Sequence, residues 1–139
     1  MNEDEYIKKT NYTPVILFFI VIVVIVGGLT SFKKETLICS KTKNLCKVEK
    51  VNLFNIKISK NLGKFSDIED VSFFKQRIKG NRYGKGYKEY LIAFELKNKN
   101  KIQIFTKSYY EKKELNFAIK ELKSKINNID DHFVMERGN

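Results

Sequence analysis

The sequence predicts an α+β protein: an N-terminal transmembrane helix, then a strongly curved antiparallel sheet of six to seven strands, capped by one C-terminal amphipathic helix. Three observations predict it. No charged residue stands between Lys9 and Lys33, and that interval holds PVILFFIVIVVIVGGLTSF. From Leu37 to Thr106, apolar residues alternate with polar ones at the two-residue period of half-buried strands. From Leu115 onward they recur at three- and four-residue spacing, as on one face of a helix. The organisation that follows is a tail over 1–11, a span over 12–32, a soluble domain over 33–129 and a disordered tail over 130–139.

Tyr12 to Phe32 is about 21 residues, roughly 31 Å as a helix, which matches the hydrocarbon thickness of a bilayer. Tyr12 and Phe32 occupy the places of interfacial aromatics, and lysines close both ends. A core helix is disfavoured, because so small a domain has nothing to surround such a rod. A cleaved leader is the stronger rival: Val15 to Val26 has the length of a signal-peptide core, with Val26 and Gly28 as small residues near a cleavage point. The acidic start, Glu3-Asp4-Glu5, and the apolar run past Gly28 favour a retained span. A lipid anchor on Cys39 is excluded by the charges that separate it from the apolar run.

Charge follows the span. Of the 27 Lys and Arg, all but Lys8 and Lys9 lie after residue 32, and of the 16 Asp and Glu, all but Glu3, Asp4 and Glu5. So basic a segment suits anionic lipid headgroups or nucleic acid, although a general Lys, Asn and Ile bias of the chain produces the same balance. Lysine far outnumbers arginine, whereas bidentate base and phosphate recognition favours arginine. The aromatics alternate as a core face does, which argues against nucleic acid. The excess of lysines after the span, Lys33, Lys34, Lys41, Lys43 and Lys47, favours a cytoplasmic domain.

The strands read in order. Leu37 and Cys39 alternate, KTKN turns, and Leu45 to Val51 runs back as a hairpin partner. Phe54, Ile56 and Ile58 form the next strand, ending at Asn61-Leu62-Gly63. FSDIEDV carries a tight turn into a strand over Val71–Ile78. Tyr90, Ile92, Phe94 and Leu96 share one face of the clearest strand, and KNKNK turns into Ile102, Ile104 and Thr106. The helix signal is Ser108-Tyr-Tyr-Glu111, a capping box. Leu115, Ala118, Ile119, Leu122, Ile126 and Ile129 then make one stripe, with Lys112, Lys113, Lys120 and Lys123 opposite and a Glu121–Lys125 pair at i,i+4.

TLICSKTKNLCKVEK, FSDIEDV, YKEYLIAFELKNKNKIQIF and the terminal helix together resemble a small bacterial membrane protein whose soluble part is a pleckstrin-homology-like (PH-like) barrel. The resemblance spans nearly all of the soluble part and rests on element order. It implies a binding module for lipid headgroups, peptides or proteins, without naming the ligand.

The stretch KGNRYGKGYKEY, Lys79 to Tyr90, is the candidate ligand-binding site. It is no Walker loop: only three residues separate Gly80 from Gly84 where four are needed, Lys85 is followed by Gly86, and a strand comes next. It lacks the third glycine of a dinucleotide fingerprint. A glycine-rich hairpin turn remains, in which Arg82, Lys85 and Lys79 offer charge and Tyr83 and Tyr87 offer contact area. With KTKN at the turn, Cys39 and Cys46 face each other across the hairpin, close enough for a disulfide that would place the domain outside the cytoplasm. Two small buried residues in a reduced sheet are the alternative. No metal site is expected, since two cysteines and the lone His132 match no zinc spacing. No cofactor is expected either. Asp67, Glu69 and Asp70 read as a solvated turn rather than an acid–base pair, and no catalytic residue is assigned. The sequence therefore points to a membrane-anchored, non-enzymatic binding or scaffold module that contacts a protein partner or anionic headgroups. The alternative is a structural subunit of a membrane complex that interacts through its transmembrane helix, although that helix has Gly27-Gly28 and no GxxxG spacing.

Overall fold

Pro14 opens the first helix, α1 (Thr13–Thr30), where a missing amide costs nothing and the ring's fixed φ suits the first turn. This computed structural model describes residues 12–80, 82–128 and 130–138; the expected tail over 1–11 lies outside them. At 18 residues and mean hydropathy 2.7, α1 is long and apolar enough to cross a membrane. Gly28 is the one buried residue along it. Ser31 alone joins it to β1 (Phe32–Ser40), so Phe32 begins a strand rather than ending the helix.

The strands divide into two antiparallel sheets. β2 (Leu45–Asn52) pairs with β1, β3 (Lys57–Gly63) with β2, and β7 (His132–Gly138) with the free edge of β1, giving the order β3-β2-β1-β7. β4 (Ile68–Ile78), β5 (Tyr87–Leu96) and β6 (Lys101–Gln103) form the second sheet in chain order. A short 3-10 turn, Phe65–Asp67, crosses between them. The sheets do not close into a barrel, which corrects the expected single curved sheet or barrel. They share one core with α2 (Lys112–Asn127). Leu37, Val48 and Met135 come from the first sheet, Val71, Ile92 and Phe94 from the second, and Leu115, Ala118 and Leu122 from the helix stripe. Ile119 and Ile126 pack at its margin, while Ile129 lies outside the described residues.

Local chemistry explains the boundaries. Asn44 takes a positive φ of 50° to close the KTKN turn, and its carboxamide exchanges hydrogen bonds with Ser66, tying that turn to the 3-10 segment. Lys99, at φ 67°, closes the KNKN turn. The strand expected at Phe54–Ser59 begins three residues later. Asn52 is fully buried, and its carboxamide oxygen accepts the amides of Phe54 at 3.0 Å and Ile56 at 2.9 Å, which bends the chain into a turn over 53–56.

Two expectations near the C-terminus are also corrected. The capping box at Ser108 and Glu111 does not form. Tyr109 instead exchanges backbone hydrogen bonds with Tyr90, at 2.9 and 2.7 Å, and this bridge holds the segment extended until Lys112. The expected disordered tail contains β7. Phe133 and Met135 are buried at alternate positions, and β7 covers the second edge of β1, whose backbone donors and acceptors would otherwise lack partners.

Candidate functional site

The glycine-rich stretch is the β4–β5 hairpin loop, and its glycines are needed for close approach. A Cβ on Gly80 would lie 2.4 Å from the Gly84 carbonyl oxygen and 2.5 Å from the Gly86 nitrogen. One on Gly86 would lie 2.5 Å from the Ile78 carbonyl oxygen. Only a backbone without side chains folds back on itself this tightly. Lys79, Arg82, Tyr83 and Lys85 lie in this loop and Tyr87 opens β5; all five are exposed, Tyr83 at 91%. Tyr87 packs its ring against Tyr110, with centroids 5.9 Å apart. Asn81 lies outside the described residues.

Cys39 and Cys46 are partners in the β1–β2 register and are joined by a disulfide. Both are buried in the core, so the bond staples the hairpin from within. Two of the three acidic residues have separate partners. Glu69 pairs with Lys99 at 2.8 Å and Asp70 with Lys123 at 2.8 Å. The Lys123 hydrogen bond and the Val71 amide hold the Asp70 carboxyl below its ordinary value. Asp70 thus ties β4 to α2. Among the described residues, no group of three or more His, Cys, Asp or Glu could hold a metal.

A second constellation lies where α1 meets the domain. A cleft of about 210 Å³ is lined by Phe32, Lys33, Lys34, Glu35, Thr106, Lys107 and Arg137. Glu35 forms its floor. This nearly buried carboxylate accepts the Thr106 amide at 2.9 and 3.0 Å, the Thr106 hydroxyl at 2.5 Å and the Lys107 amide at 3.2 Å. Lys50 pairs with it at 3.2 Å while lying over the Phe32 ring. Burial pushes the Glu35 carboxyl up, but these donors together outweigh it and hold the group below its ordinary value.

Arg137 stacks on Tyr109, its guanidinium carbon 3.4 Å from the ring centre, and donates to the Ser108 carbonyl at 2.7 Å. Burial raises the Tyr109 pKa, with Arg137 pulling the other way. Lys34 pairs with Glu136 at 2.5 Å. The cleft rim thus carries Lys33, Lys34, Lys107 and Arg137 around a carboxylate already committed to internal donors, and each rim cation has a partner of its own: Lys33 the Asn55 carboxamide oxygen, Lys34 Glu136, Lys107 the Gly138 carbonyl at 3.1 Å and Arg137 the Ser108 carbonyl.

Sequence reading missed this cleft because its residues are far apart. Lys33 and Lys34 read as flanking charges of the span, Thr106 and Lys107 as the end of a strand, and Arg137 as part of a tail. The signal that could have exposed it is the acidic Glu35 directly after two lysines at a strand start, a charge that needs donors from elsewhere once the strand is buried. The chain matches no protein-family model, no curated protein and no solved structure in comparison searches.

Proposed function

We propose that the chain is a single-pass membrane protein whose α+β domain is a non-enzymatic binding module contacting anionic lipid headgroups. The observation that carries this reading is the junction. A helix apolar on every face, with 6% of its span buried, passes through Ser31 alone into the first strand of a basic domain. An apolar rod of this kind needs hydrocarbon around it, and the basic domain then stands at the membrane surface. The cleft at Lys33, Lys34, Lys107 and Arg137 lies beside that junction, and the hairpin tip with Arg82 and Lys85 offers a second anion contact. The PH-like assignment belongs to this proposal. Two antiparallel sheets and a helix around one core support it, while the open sheets and the strand after α2 depart from it. The Cys39–Cys46 bond supports an extracytoplasmic domain, against the lysine bias.

The core cluster draws no residue from α1, so a fragment over 31–138 carries its own core. It is expected to sediment with vesicles containing an anionic lipid and to release as salt is raised. Arg82→Glu/Lys85→Glu lowers the binding if the hairpin takes part and leaves it unchanged if the cleft alone does. A fragment that binds no anionic vesicle, while the full chain copurifies with other membrane proteins, replaces this reading with the structural-subunit one.

A further inference from the structure

The turn joining β2 to β3 concentrates apolar surface at one spot. Leu53, Phe54, Ile56 and Ile58 are each 46–49% exposed, four apolar side chains within six residues. Such clustering, unlike scattered apolar exposure, marks a contact surface. Its location names the occupant. The Phe54 ring lies against Gly28, so closely that a Cβ there would come within 2.3 Å of the ring. The Leu53 amide donates to the Ser31 carbonyl at 3.2 Å, and the Lys33 ammonium to the Asn55 carboxamide oxygen at 3.2 Å. Gly28 is two residues inside the end of α1, about 3 Å along the axis at 1.5 Å per residue. Phe54 therefore sits level with the apolar helix, below the point where the chain turns into β1. Lys33 and Lys57 flank the apolar side chains with positive charge.

Resting on the reading that α1 spans a bilayer, we infer that the segment 53–58, the turn and the first two residues of β3, inserts into that bilayer at the headgroup–acyl boundary. Leu53, Phe54, Ile56 and Ile58 enter the acyl edge while Lys33 and Lys57 meet lipid phosphates. Apolar side chains and lysines at this depth are the pattern of an interfacial anchor. The turn is a second attachment beside the helix. Two attachments fix the tilt of the domain against the membrane, and so fix which face of it is presented to solvent.

The absence of tryptophan from the chain makes the test direct. Single tryptophans are placed by Phe54→Trp, Ile56→Trp, Val21→Trp at mid-span and Phe117→Trp on α2, which is 71% exposed. Each full-length variant is reconstituted into phosphatidylcholine–phosphatidylglycerol vesicles whose acyl chains carry bromine at shallow or deep positions. The expected result is blue-shifted emission from both turn variants, with severalfold stronger quenching by shallow bromines than Phe117→Trp shows. Val21→Trp is then quenched by deep bromines. If Val21→Trp is quenched while neither turn variant exceeds Phe117→Trp, the turn is outside the lipid, the inference is overturned and the surface is left to a protein partner. If Val21→Trp is not quenched, the spanning helix itself falls and the inference with it. Ile56→Trp guards against a Phe54→Trp variant that merely disturbs the contact with Gly28.

Discussion

Replacing Glu35 tests how the two halves of the domain are held together. Its carboxylate on β1 gathers the Thr106 amide and hydroxyl, the Lys107 amide and the Lys50 ammonium, and so ties the first sheet to the segment that leaves β6 for α2. Removing one member of a buried charge network costs about 3–5 kcal/mol, because the remaining partners stay desolvated and unpaired. Glu35→Ala is expected to lie in that range, a large share of the roughly 5–15 kcal/mol that holds a domain folded. Glu35→Gln keeps one acceptor oxygen but no charge, for a loss of about 2–3 kcal/mol. Lys50→Met leaves the other donors in place and costs less than Glu35→Gln.

The pH dependence follows from the lowered carboxyl pKa. The folded protein holds this proton less tightly than the unfolded chain does. Its contribution is therefore complete above the ordinary value of 4.5 and is lost as pH falls from there through the depressed folded value. Urea titrations of the 31–138 fragment at a series of pH values from about 6 to about 3 measure both effects. The reasoning is refuted if Glu35→Gln unfolds within about 0.5 kcal/mol of the parent and shows the same decline in acid.

Four further outcomes are expected. Ending the chain at Asn128 removes β7 with Phe133 and Met135 and exposes an edge of β1, so circular dichroism and size-exclusion chromatography should show a molten or aggregated fragment. A Cys39→Ala/Cys46→Ala variant loses a closed loop of sequence separation 7, worth about 2.5 kcal/mol by loop entropy, read as a lower urea midpoint. In intact cells the wild-type thiols should accept maleimide only after reduction. Gly28→Leu must displace the Phe54 ring whereas Gly27→Leu enters open space, so only the first should raise protease cleavage at the 53–58 turn in reconstituted vesicles.

Much of the architecture was legible because it is encoded locally. The uncharged interval contains α1, the KTKN and KNKN turns lie where the asparagines and lysines can take left-handed conformations, and the Leu115–Ala118–Leu122 stripe is the buried face of α2. The register Cys39↔Cys46 followed from the turn between them. The start of α2 was misplaced because the Ser108–Glu111 pattern is a good local cap, yet the Tyr90–Tyr109 bridge competes for the same backbone. Phe54, Ile56 and Ile58 have a strand's alternation, but the Asn52 carboxamide captures two of the amides and bends the chain first. The glycine-rich hairpin was legible as a turn, and it is the connection between β4 and β5. The cleft around Glu35 was not legible, because its residues come from β1, the β6–α2 connection and β7.

What the sequence determined by itself was a set of features fixed by neighbours within a turn or a hairpin: the apolar helix, the KTKN and KNKN reversals, the amphipathic stripe and the facing cysteines. Only the tertiary structure decided the split into two sheets, the recruitment of the last strand to the first, and the seating of Phe54 against the helix end. Each of these depends on residues tens of positions apart. Their pairing is selected by shared burial and by the need to satisfy buried backbone groups and one buried carboxylate, and no short window of sequence records those conditions.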